Sequence, residues 1–402
     1  MRQKKLMLLG GIRYLLPAIE AAHKHGFYVI TVDYLPDNIA HKYSDEYHNV
    51  SILDKEAVLE LARRLRIDGI LSYAVDPGVV TAAYVAEQMG LPFTCSYEST
   101  CILQDKARFR HFLAGNGFNV PTARGYDNIE KALSEAGMFH WPVVVKPVDS
   151  AGSKGVMRVD KRKNLRAAIE RALDESHCGS FIIEDFLEKV GLSSGSESFF
   201  VNGELCYNAF YDQYFDQESL NPYTPSAECW PADKPIEILD EVRRQLRQLG
   251  ALLGFRTGLF NVEWRICTDG KVYLMEVSPR AGGNRLAEIL NYATDVDIIE
   301  AEILKAMDQE FPDIHEPNYN GYYAIYVIHS QQSGTFQNII IDAEFEKKCV
   351  IEKELRVHKG QFVDSFKGAN NAIGTLFLKF SNLQDLKKYL SNIADKVDIV
   401  VK

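Results

Sequence analysis

Three successive textures along the 402 residues predict an α/β and α+β molecule: a doubly wound parallel sheet, a two-part mixed fold, and a small β-rich unit at the end. The first ~100 residues alternate strand and helix. A strand, a Gly/Ser loop and further strands follow from 142 to 187, and short alternating strands close the chain. The expected boundaries are 1–104, then 105–320 (divided into 105–190 and 191–320), then 321–402.

The first part reads as strand Leu6–Leu9, helix Tyr14–His25 ended by Gly26, and strand Tyr28–Val32 stopped by Asp33. Helix Lys55–Leu65, strand Gly69–Ser72 and helix Val79–Met89, ended by Gly90, complete it. The basic stretch Met1–Lys5 before an apolar run could open a secretory leader. Gly10, Gly11 and Arg13 cut that run short, so a buried first strand is expected. Gly10-Gly11 leaves room for a ligand at a helix N-terminus, but GGIRYL is not the GxGxxG of a dinucleotide site. Asp33 and Asp76 follow apolar segments, where they serve either as ligand-facing residues or as caps.

The second part holds helices Lys106–Ala114 and Ile129–Ala136, strand Pro142–Lys146, a loop at Asp149–Gly155, helix Lys163–Asp174 and strand Phe181–Phe186. An α+β block from Glu197 to about 310 carries a long aromatic- and proline-rich insertion, Tyr214–Pro235. Strands Tyr322–His329, Thr335–Ile341 and Gly374–Phe380 and one late helix make the tail.

Composition is that of a globular protein, 46% hydrophobic and 25% charged. A net charge of -10 argues against nonspecific nucleic-acid binding or attraction to anionic membranes. Seven cysteines without a CxxC pair read as reduced thiols in a cytoplasmic protein, and no apolar run approaches the ~20 residues that span a bilayer.

Chemistry concentrates in FNVEWRI and VYLMEV, joined through Asp269-Gly270, a hairpin signal. A two-residue turn there pairs 268 with 271 and 266 with 273, and sets Glu263 opposite Glu276 on one face with Asn261 and Ser278. Opposed like charges on a half-buried sheet call for a cation, and magnesium suits oxygen ligands. The plainer alternative is a solvated hairpin. Arg280, four residues past Glu276, offers a rigid fork to anionic oxygen, and Gly282-Gly283 allows close backbone approach. Lys146 ends an apolar strand, where a lysine needs an anion. The DSAGSKG loop after it offers backbone N–H groups to phosphate, without being a Walker sequence. Phe181–Phe186 ends in Glu184-Asp185, a strand end that suits either a base's amino group or solvent.

Gln104-Asp105-Lys106, VVVKP, DSAGSKGV, IIEDFL, Glu197 of GSESFFV, NVEW and MEVSPRAGG, in this order, resemble the ATP-grasp superfamily and within it the biotin-carboxylase-like branch. That branch includes phosphoribosylglycinamide and carbamoyl-phosphate synthetases and L-amino-acid ligases. The resemblance implies a pre-ATP-grasp domain, an ATP-grasp domain of two subdomains and a small closing domain. It assigns ATP to Lys106, Lys146, the loop Ser150, Gly152, Ser153, Lys154 and Gly155, then Glu184, Asp185 and Leu187 at adenine and Glu197 at ribose. It assigns one or two magnesium ions (manganese as substitute) to Glu263 and Glu276, with Ser278 where the family has asparagine. Arg280 and Lys146 become the catalytic residues. The implied activity is carboxylate activation as an acyl phosphate and transfer to an amine in a cytoplasmic homodimer. The alternatives are a sensor or scaffold without turnover and a dinucleotide-dependent oxidoreductase. Gly11, Asp76, Tyr223, Trp230 and Arg285 are the expected substrate contacts, the aromatic pair on the stiffened insertion.

Overall fold

A computed structural model describes residues 2–150 and 152–402. Met1, which begins the basic stretch, and Ala151, inside the Gly/Ser loop, lie outside them. Strands β1 (Lys5–Leu9), β2 (Tyr28–Val32), β3 (Glu46–His48) and β4 (Gly69–Leu71) form a parallel sheet in the order β3-β2-β1-β4. Leu6–Leu9 is wholly buried, as expected of a strand covered on both faces. The helix after β4 begins at Asp76 rather than Val79, with Pro77 in its first turn, where its missing N–H costs nothing. That start brings Asp76 to the edge of the first unit.

Strands β5 (Ala123–Tyr126), β6 (Val143–Pro147), β7 (Met157–Val159) and β8 (Phe181–Asp185) form an antiparallel sheet in the order β5-β8-β6-β7. The remaining strands are β9 (Ser193–Val201), β10 (Glu204–Phe215), β11 (Pro225–Trp230), β12 (Gly258–Ile266), β13 (Val272–Ser278), β14 (Tyr322–Ile328), β15 (Gly334–Ile341), β16 (Val350–Leu355), β17 (Phe362–Val363), β18 (Gly374–Phe380) and β19 (Val397–Val401). Eight of them join one large sheet, β13-β12-β9-β10-β11-β14-β18-β16. The tail therefore divides between two sheets. Strands β14, β18 and β16 extend the sheet of the preceding block, while β17-β15-β19 form a small sheet of their own. The stretch expected as a long insertion is partly strand: β10 runs to Phe215 and β11 covers Pro225–Trp230, leaving a loop at 216–224.

The two faces of the large sheet follow from period-two alternation in β12. Phe260, Val262 and Trp264 pack with Leu246, Leu249 and Leu253 of the helix Ile236–Leu253 in one core cluster. Leu259, Asn261, Glu263 and Arg265 take the opposite face, and there Leu259 joins the cluster that contains the first unit's core. Carboxylates and amides thus gather in the seam between the first unit and the large sheet.

Gly195 sits at the centre of that polar face, paired with Glu263 on one side and Tyr211 on the other. A Cβ there would lie 2.4 Å from the Tyr211 hydroxyl. Gly195→Ala is therefore expected to cost about 1–3 kcal/mol through overpacking, read as a lowered denaturation midpoint. An unchanged midpoint would show that Tyr211 moves aside freely.

Candidate functional site: an opposed carboxylate pair beside a lysine

Glu263 and Glu276 stand opposite each other on β12 and β13, and Asn261 stands opposite Ser278. The route to that register differs from the two-residue turn. Gly270, at φ +76, ends a longer connection in which its N–H donates to the Cys267 carbonyl (2.8 Å) and the Cys267 N–H donates to Lys271 (3.0 Å). That connection shifts the ladder by one residue, so Ile266 meets Val272 and Trp264 meets Leu274. A bulge between Trp264 and Glu263 leaves Met275 without a partner and restores the shift. The two departures cancel at the glutamates. Burial first, and then the Glu276 charge, push the Glu263 carboxyl above its ordinary pKa, while Arg265, Arg280 and Lys106 pull it back.

Helix Lys106–Gly115 delivers two cations to this hairpin. Asp105 caps it, accepting from the Ala107 and Arg108 N–H groups at 2.8 and 2.9 Å. Lys106 and Arg110, one turn apart, share a helix face. Lys106 Nζ lies 3.8 Å from Glu276 Oε2 and donates to the Ser150 carbonyl at 2.9 Å, so it bridges the Gly/Ser loop and the carboxylate pair. Arg110 Nε lies 2.8 Å from Glu184 Oε1, and Lys146 Nζ lies 2.6 Å from Glu184 Oε2. Burial alone would raise the Glu184 carboxyl. Arg110 and Lys146 outweigh it and hold the group at about 2. Burial lowers the pKa of Lys146 in turn.

The segment after β13 is fixed by buried acids. Glu197, fully buried, accepts from Asn261 Nδ2 at 2.6 Å and from the Gly282 N–H at 3.2 and 3.1 Å. A Cβ at Gly282 would fall 2.5 Å from Glu197 Oε1, so only glycine allows this approach. Arg280 Nε and Nη2 donate to the two Asp76 oxygens at 2.8 and 2.6 Å, a fork-to-fork pair joining the first unit to the hairpin. Ser278 Oγ donates to Asp76 Oδ1 at 3.0 Å and accepts from Gln104 at 2.7 Å.

Several residues expected at ligands take partners within the fold. Glu197 spends both oxygens inside the fold rather than at a ribose edge, and burial pushes its carboxyl up to about 7. Asp185 accepts from His140 N and Nδ1 at 2.8 and 2.9 Å. Asp76 binds Arg280 instead of facing a ligand, and Ser278 turns its hydroxyl to Asp76. Trp230 is fully buried and packs on Tyr211, with ring centroids 5.2 Å apart; it lines no cleft. Gly11 is packed against His41, which a Cβ would meet at 2.4 Å. Arg285 is occupied by Glu288 and Glu352, at 2.7 and 2.6 Å.

Other expected residues are brought together. Half-exposed Tyr223 borders the Gly/Ser loop, its carbonyl accepting from Ser153 Oγ at 3.1 Å. Gly152, Ser153 and Gly155 all take positive φ, the geometry that lets successive N–H groups converge. Lys154 is placed in the same loop, and Leu187 follows β8 half-buried. Sequence reasoning missed Arg110 and also Glu228, a buried carboxylate that accepts from Asn284 at 3.0 Å. The spacing of Arg110 four residues after Lys106 was the available signal for the first.

A family model described as "ATP-grasp domain" matches residues 139–288. The carbamoyl phosphate synthase large chain of Neisseria meningitidis is 26% identical over 316 residues, which cover 74% of this chain and 28% of that protein. The chain thus spans little more than a quarter of that relative. A formate-dependent phosphoribosylglycinamide formyltransferase of a Synechococcus species is 29% identical over 294 residues, covering 71% of this chain and 72% of that one. The crystal structure of an L-amino acid ligase from Bacillus licheniformis superposes over the full length of both chains with a TM-score of 0.82 at 20% identity, a likeness of fold. From the residues leading into β6 to those just beyond β13, this chain is similar to the ATP-grasp domain.

Proposed function

We propose that the protein is an ATP-dependent carboxylate–amine ligase. The observation that carries the reading is the opposed pair Glu263 and Glu276 with Lys106 between that pair and the Gly/Ser loop. Two carboxylates held face to face at a half-buried position fit a hard divalent cation, which would offset the burial and the Glu276 charge that raise the Glu263 carboxyl. Glu263 and Glu276 would hold magnesium, which supplies charge neutralisation for phosphoryl transfer. The Ser278 hydroxyl, committed to Asp76 and Gln104, favours one ion over two.

In this reading Lys106, Lys146 and the loop N–H groups bind the phosphates, and Glu184 keeps Lys146 oriented. Leu187 and the end of β8 border the base. A substrate carboxylate oxygen attacks the γ-phosphorus and ADP leaves. The amine nitrogen then attacks the acyl carbon, phosphate departs and the amine loses a proton. Arg280, fixed by Asp76, faces the anionic oxygens, and Tyr223 on the 216–224 loop borders the substrates. The protein acts in the cytoplasm as a homodimer. Related proteins named for carbamoyl phosphate synthesis, formate-dependent formyl transfer and amino acid ligation support the class. Among the described residues no helix is long and apolar enough to cross a membrane.

The direct test is phosphate release from ATP and Mg2+ across paired carboxylates and amines. Release that requires both partners supports the ligase; release indifferent to every pair contradicts it. With an active pair in hand, Lys146→Ala is expected to lower turnover ~10²–10³-fold, as for removal of one electrostatic stabiliser. Unchanged turnover would make Lys146 a structural strand end.

Glu263 also predicts a pH effect. A carboxyl raised in the folded state favours the protonated form, so its stability contribution is lost as pH rises from the ordinary carboxylate pKa through the folded value. In chelator, Glu263→Gln should raise the melting temperature at about pH 8 and have little effect at about pH 5, where the native carboxyl is protonated. An equal effect at both pH values would contradict the charge argument.

A further inference from the structure

The bulge that brings Glu276 opposite Glu263 has one side chain holding it. Arg110, 4% exposed, donates from Nη1 to the Leu274 carbonyl at 3.3 Å and from Nη2 to the Met275 carbonyl at 2.9 Å, while its Nε lies 2.8 Å from Glu184. Met275 is the residue left without a partner in the ladder. Its carbonyl would otherwise sit in the interior with a weakened set of partners. A ladder continued from Trp264 and Leu274 without the bulge would set Met275 opposite Glu263 and Glu276 opposite Val262. Val262 faces the apolar cluster against helix Ile236–Leu253, so Glu276 would point into that core. The single-residue shift decides whether the chain has a carboxylate pair at all.

We infer that Arg110 is a positioning residue for the carboxylate pair, fixing the bulge that turns Glu276 toward Glu263. This rests on the proposed metal site and deepens it. The same guanidinium reaches Glu184 and through it Lys146, so one buried cation sets the phosphate-side lysine and the metal-side glutamate in a common frame. Lysine cannot replace it, because an ammonium is a point charge where Arg110 uses three nitrogens in a planar fork.

The test uses the full chain and Mn2+ alone, without nucleotide, with binding followed by electron paramagnetic resonance and amide hydrogen exchange measured in parallel. In Arg110→Lys the Mn2+ dissociation constant should rise about tenfold or more, as for loss of a side chain that orients metal ligands. Exchange should accelerate within 274–278 and stay unchanged in β9 and β10. Arg110→Gln, which keeps a shorter pair of polar ends, serves if the lysine variant does not fold. Wild-type Mn2+ affinity in the variant overturns the inference, as does acceleration spread evenly over the large sheet. A native protein that binds no Mn2+ removes the metal site and the inference together, an outcome distinct from a variant that binds like the native chain.

Discussion

Two like charges face each other across adjacent strands, and most of the surrounding structure is arranged around that repulsion. Glu263 sits where burial, and then the Glu276 charge opposite it, disfavour its ionisation. Lys106, Arg265 and Arg280 temper the cost from three directions without neutralising it. The result is an opposed carboxylate pair, the proposed cation site, at the seam of the first unit, the four-stranded β5-β8-β6-β7 sheet and the large sheet.

Each bordering element holds its charge through a partner from another part of the chain. Asp76 opens the helix after β4 and grips Arg280, 204 residues away. Glu184 on β8 is shared by Lys146 and Arg110. Buried ion pairs of this kind add little net stability compared with apolar packing, but removing one partner leaves an uncompensated charge. They are better understood as geometry: Arg280, Lys146 and Glu276 keep fixed relative positions because each bears on a charge it cannot leave.

Much of this was legible in the residues. The carboxylate pair emerged from hairpin arithmetic, although the turn was longer than Asp269-Gly270 suggested and the Met275 bulge compensated for it. The register at the glutamates survived because the longer turn and the bulge shift the ladder in opposite senses. Lys146 at the end of an apolar strand and the glycine-bearing loop were readable from the rule that buried charge needs a partner. Contacts between distant segments were not readable. Asp76 looked like a ligand-facing or capping residue because nothing local reveals Arg280 beside it, and Arg110 went unnamed because nothing local reveals Glu184 or the Met275 carbonyl beside it. Trp230 misled for a different reason. Prolines around it suggested a displayed loop, while β11 runs through the middle of the large sheet and buries the ring on Tyr211.

What occupies the space between Glu263 and Glu276 decides whether the pair is a metal site. Crystals grown with Mn2+ and ADP, measured at an X-ray energy where manganese scatters anomalously, address it without any knowledge of the substrates. An anomalous peak about 2.1 Å from carboxylate oxygens of both Glu263 and Glu276 is the predicted result. A peak elsewhere, or ADP bound with Lys106 or Arg280 filling the gap and no metal beside the pair, would contradict it.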